Sequence, residues 1–130
     1  MTDDRIRLSG FEERLLALAD ERGFTPSKPL TVKCAELEHR GRATVIYLDR
    51  EKTARGVIAV FVSPESDLGS LRGIPGLTIP ADVQHHSGMT RFPRRINRGK
   101  TPTAYGYLIR CADLSAYGRL LDRLAAPASP

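Results

Sequence analysis

Between Val83 and Ala112 the sequence has no aspartate or glutamate. The same stretch carries Arg91, Arg94, Arg95, Arg98, Lys100 and Arg110. Six of the chain's 20 basic residues therefore fall in one segment, leaving 14 basic against 15 acidic residues elsewhere. A local excess of one sign creates a field that attracts polyanions, so the first class of partner to consider is nucleic acid.

Other absences narrow the field further. No apolar run approaches the ~20 residues that cross a bilayer. The longest, Val57 to Val62, has six residues and reads as a buried strand. Met1-Thr2-Asp3-Asp4 is acidic and has no apolar segment behind it, so no secretory signal and a cytoplasmic location are expected, with no membrane contact. The only two cysteines, Cys34 and Cys111, match no CxxC spacing and are expected to be reduced and buried. Neither they nor the histidines stand at a metal-ligand spacing, so no metal or cofactor is expected. Gly69, Gly73 and Gly76 do not make GxGxxG, and no GxSxG is present. Gly99-Lys100-Thr101 looks like the end of a phosphate-binding P-loop. Arg94, however, stands where the earlier glycine belongs, and Pro102 where the helix must begin. There is no internal repeat, no low-complexity tract and no recognition helix of the kind that DNA-binding domains display.

The remaining signals describe one α+β domain over residues 1–130. Ser9 followed by Glu12 forms a capping-box pattern, and Phe11, Leu15, Leu16, Leu18 and Ala19 make a helical stripe behind it. Gly23 is the expected left-handed stop. Val32 to His39 is a weak strand, with Val32, Cys34 and, after a bulge or shift, Leu37 inward, and Glu36 and Glu38 facing solvent. Ala43 to Leu48 is rich in β-branched and aromatic residues and reads as a second strand. The continuous run Val57 to Val62 suits a central strand covered on both faces. A polar connection over Asp49 to Gly56 joins the two. Residues 63–102 form a long irregular insert, glycine- and proline-containing, with one helical turn near Leu68 to Arg72; loops of this length inside small domains are often functional. Tyr105 to Cys111 returns to strand character. Asp113 or Ser115 caps a final helix, and 125–130 is a frayed tail. The architecture expected is two layers: a mostly antiparallel sheet flanked by an N-terminal and a C-terminal helix. The long insert, or a second subunit in a homodimer, is available to cover the second sheet face.

The chemistry concentrates in His85 to Pro102. Arg91, Arg94, Arg95, Arg98 and Lys100 are expected to grip phosphates, and Phe92 to offer an aromatic face for a base. On this reading the chain is a non-enzymatic, DNA- or RNA-binding protein. A second reading is a metal-independent ribonuclease of toxin type. In it His85 or His86 acts with Tyr105 or Tyr107 as acid and base while arginines hold the scissile phosphate. Adjacent histidines on a strand point to opposite faces and rarely bind one metal together, whereas on a loop they can. A third reading is an adaptor or inhibitor of phage or mobile-element origin that binds an acidic host protein.

Overall fold

The computed structural model describes residues 7–96 and 101–126. They form an α+β domain whose elements run α1 (Gly10–Glu21), β1 (Phe24–Pro26), β2 (Cys34–His39), β3 (Val45–Asp49), α2 (Arg50–Thr53), β4 (Ile58–Val62), β5 (Leu77–Thr78), β6 (Gln84–His85), β7 (Arg94–Ile96), β8 (Pro102–Cys111) and α3 (Leu114–Ala125). No helix among the described residues is long and apolar enough to cross a membrane.

The N-terminal helix begins as its sequence directs. Ser9 Oγ accepts the Glu12 N–H at 3.1 Å. The Glu12 carboxylate does not turn back to complete the capping box; it pairs with Arg50 through two bonds of 2.8 Å. Both side chains are buried, and Arg50 also donates to the Thr31 carbonyl at 2.7 Å. A buried charge needs such saturation, and the result ties α1 to the start of α2 and to the loop before β2. Gly23 ends the helix at φ +92°, and a Cβ there would stand 2.6 Å from the His39 ring. At the other end of the chain Asp113, not Ser115, caps α3 by accepting the Ala116 N–H at 2.8 Å.

The strands pair in the order β1-β2-β3-β4-β8-β5, every pairing antiparallel. Side-chain alternation divides the sheet into two faces. One carries Ala35, Leu37, Ile46, Leu48, Val60 and Ile109 and is covered by α1 and α3 through Leu15, Ala19, Tyr117, Leu120 and Leu121. The opposite face carries Cys34, Tyr47, Ala59, Phe61 and Leu108, and here Met89 and Phe92 of the insert complete the cover. The insert thus supplies the second layer that the uniformly buried β4 requires.

Several expectations need correction. Val32 lies outside β2 and is 44% exposed, because the strand begins only at Cys34. Glu36 is buried rather than solvent-facing, since β3 and the insert close over it. The polar connection after β3 contains α2, started by the Asp49 carboxylate accepting the Lys52 N–H. Residues 63–102 are less irregular than their glycines and prolines imply, because β8 begins at Pro102 and acts as a template for three short strands. Leu77 and Thr78 pair with Cys111 and Arg110, Gln84 and His85 with Gly106 and Tyr105, and Arg94 to Ile96 with Ala104 to Pro102. Along β8 the hydrogen bonds alternate in direction. The Ala104 carbonyl accepts the His86 N–H at 2.9 Å, whereas the Tyr105 N–H donates to Pro93 at 3.1 Å. β6 and β7 therefore flank the first half of β8 on opposite edges.

Candidate nucleic-acid interface

The β7–β8 hairpin is the exposed part of the basic segment. Pro93 leads into β7, where Arg94, Arg95 and Ile96 are all exposed. Among the described residues no carboxylate pairs with Arg94 or Arg95. Residues 97–100, which connect the two strands, lie outside the described residues, and with them Arg98 and Lys100. Ile96 is 64% exposed; its partner in register is Pro102, at the end of the hairpin where the two strands are connected.

Successive residues of a strand point to opposite sides, so Arg94 and Arg95 diverge. Arg95 lies on the side of Thr103 and Tyr105. Its guanidinium carbon stands 4.6 Å from the Tyr105 ring centroid, and its Nε–H donates to His85 Nε2 at 3.2 Å. The His85 and Tyr105 rings are 5.8 Å apart. Because β6 and β7 hold β8 from both edges, His85, Arg95 and Tyr105 converge from three strands. In this bond His85 Nε2 is the acceptor.

His86 is turned to the other face. Its ring meets the edge of Phe61 at 5.6 Å, and its Nδ1 accepts the Gly88 N–H at 3.0 Å. It is therefore separated from His85 and Tyr105 by the sheet, as alternation dictates, and it drops out of any joint acid–base centre. Among the described residues no group of three or more His, Cys, Asp or Glu is placed to hold a metal ion.

Two expected contacts are internal. Phe92 is buried, edge-on to Tyr47 with centroids 5.0 Å apart. It fills the second core above Gly106, where a Cβ would stand 3.0 Å from its ring and 2.5 Å from the Val62 carbonyl. No ring face is left for a base, which corrects its assignment as a stacking platform. Arg91 is paired with Glu38 at 2.6 Å and 3.4 Å, a fork that holds the Glu38 carboxyl below its ordinary range. Arg110 lies at the far end of β8, opposite Thr78.

The residue network that sequence reasoning missed lies beneath Arg91. Glu36 accepts from Tyr47 Oη at 2.5 Å and from Ser27 Oγ at 2.6 Å. Tyr47 Oη in turn accepts the Arg91 N–H at 3.0 Å. Burial first, and Glu36 second, push the Tyr47 hydroxyl well above the usual tyrosine range, so it remains a donor. This chain of bonds fixes the start of the segment that leads into β7. Its signal is the register pairing of Glu36 with Tyr47, which is invisible until β2 and β3 are aligned.

Comparison of the chain with protein-family models, with curated proteins and with solved structures returned no match.

Proposed function

We propose that this protein binds nucleic acid through the β7–β8 hairpin, with Arg94 and Arg95 contacting phosphates. The observation that carries the reading is their placement: two exposed guanidinium groups on a regular strand, unpaired with any described carboxylate, in a segment whose sequence adds Arg98 and Lys100. A two-stranded ribbon fits a nucleic-acid groove, and guanidinium groups on both its sides can meet backbone phosphates. Tyr105 and His85 restrain Arg95, which lowers the entropy lost on contact. Arg91 is left out of the contact set because Glu38 already holds it, and Phe92 because it is buried. Fluorescence anisotropy with labelled DNA and RNA at low salt tests the reading, with Arg94→Ala/Arg95→Ala as the variant. Complex formation that weakens in the variant is expected; absence of any complex with either nucleic acid ends the proposal.

One observation favours ribonuclease chemistry as the second reading. His85, Arg95 and Tyr105 meet on one side of the sheet, which groups a candidate acid–base imidazole, a phosphate-binding guanidinium and a hydroxyl. RNA cleavage in the presence of EDTA, lost in His85→Ala but kept in His86→Ala, is its expected signature. Intact RNA after prolonged incubation removes it.

A further inference from the structure

Arg95 reaches His85 through one particular edge of its guanidinium. Its Nε–H donates to His85 Nε2 at 3.2 Å, while its central carbon stands 4.6 Å from the Tyr105 ring centroid. Tyr105 therefore covers one face of the group, and among the described residues no acceptor is bonded to its Nη–H donors. The edge that carries Nε–H and one Nη–H is one of the forks with which arginine grips a phosphate in two parallel bonds. His85 Nε2 stands where one of the two phosphate oxygens would accept. A phosphate that takes this fork displaces the imidazole as acceptor and comes to rest against it.

That exchange sets the Nε2 lone pair against an anionic oxygen. Two acceptors repel, and the contact turns favourable when Nε2 takes up a proton and becomes a donor. A negative charge touching an imidazole favours its protonated form, and imidazole as a class titrates near pH 6.5, within reach of physiological conditions. The more distant charges around His85 balance. The ring borders a cleft whose walls also carry Lys33, Lys52, Asp49, Glu51 and His86. Asp49 is buried and paired with Lys52 at 3.1 Å, which leaves one cation and one carboxylate, Lys33 and Glu51, both exposed. Its own strand adds only the neutral Gln84, and β8 adds Tyr105. Arg95 is then the one cation in contact with His85, and the phosphate comes between the two. Resting on the hairpin reading above, we infer that His85 is a third phosphate contact of the nucleic-acid interface, made in its imidazolium form, so that binding takes up a proton at this ring.

The test follows affinity against pH at constant ionic strength, by anisotropy with labelled oligothymidine, oligouridine and duplex DNA. The phosphodiesters and bases of these probes keep their charge around neutral pH, so a response there comes from the protein. Wild type is expected to bind about fivefold more tightly at about pH 6 than at about pH 8, the scale of one opposite charge beside a titrating group. His85→Gln keeps an acceptor for Arg95 yet takes up no proton; it is expected to match wild type at the alkaline end and to lose the tightening. His85→Lys, charged throughout, is expected to bind tightly at both ends. His86→Gln is expected to keep the wild-type response. Calorimetry in buffers of different ionisation heat supplies the proton count: uptake of a fraction of one proton at neutral pH for wild type, and none for His85→Gln. Equal wild-type affinity at both ends, an unchanged response in His85→Gln, or no proton uptake overturns the inference and leaves the hairpin reading standing, with the phosphate on the other edge of Arg95. No binding to any probe at any pH overturns both.

Discussion

Tyr47→Phe removes one oxygen and keeps the ring, so it isolates what the hydroxyl does. In the folded protein that hydroxyl donates to the buried Glu36 at 2.5 Å and accepts the Arg91 N–H at 3.0 Å. A bond to a charged group contributes about 1.5–3 kcal/mol, and the half-buried Arg91 N–H adds roughly 0.5–1 kcal/mol because water replaces part of its partner. Tyr47→Phe is therefore expected to cost about 2–4 kcal/mol. In a urea titration with a slope of about 2 kcal/mol per molar, the midpoint falls by about 1–2 M. Glu36→Leu alone leaves the hydroxyl without its acceptor, but Tyr47→Phe/Glu36→Leu removes donor and carboxylate together. The double variant is thus expected to be more stable than the sum of the single losses predicts, by about 1–3 kcal/mol. Hydrogen exchange supplies a local readout: the amides of Met89 and Phe92, bonded to His86 and Met89, are expected to speed up more than those of β4. A midpoint shift under about 0.3 M, or strict additivity in the cycle, refutes the claim that this network clamps the insert onto the sheet.

Gly106→Ala places a methyl 2.5 Å from the Val62 carbonyl; overpacking of this kind costs about 1–3 kcal/mol, and a change below about 0.5 kcal/mol in the same titration shows that Phe92 is not tightly seated. Glu12→Ala leaves the buried Arg50 unpaired and is expected to cost about 3–5 kcal/mol, whereas Glu12→Leu/Arg50→Met restores most of that loss; equal midpoints for the two variants contradict the burial argument. Stability is also expected to fall in alkali. Burial, with Asp113 second, pushes the Cys111 thiol from 9.0 up to about 12, and burial raises Cys34 as well. A folded-state pKa above the unfolded value gives stability that is complete below the unfolded pKa and lost as pH climbs toward the folded one. The melting temperature should therefore hold to about pH 8.5 and decline above about pH 9, with a shallower decline in Cys111→Ala; a flat profile to about pH 10.5 counts against it.

Much of the scaffold was legible in the sequence because its signals are local. Ser9, Gly23 and Asp113 mark helix ends through their own backbone chemistry, and the unbroken run in β4 announces cover on both faces. The misreadings come from partners distant in the chain. Glu36 looks like one of two solvent-facing acids until Tyr47, Ser27 and the insert close over it. Phe92 looks like an exposed aromatic among arginines, yet Gly106, 14 positions later, leaves the space that it fills. The insert reads as irregular because strands of two or three residues carry no periodicity, and only pairing with β8 makes them strands. At the candidate site, strand alternation separates His85 from His86 only because β6 pairs with β8 within a segment that reads as irregular. The meeting of His85, Arg95 and Tyr105 depends on β6 and β7 choosing opposite edges of β8, which no local signal states.

The dependence of nucleic-acid affinity on salt tests the hairpin most directly. Each phosphate contact contributes about 0.7 to the slope of log affinity against log salt for single strands, and about 0.9 for duplex DNA. The wild-type protein is expected to bind with a clear negative slope. Arg94→Ala/Arg95→Ala should make it shallower by about 1.4–1.8 and weaken binding at every salt concentration. A slope unchanged in the double variant, or no complex at low salt, contradicts the proposal that these two arginines hold the ligand.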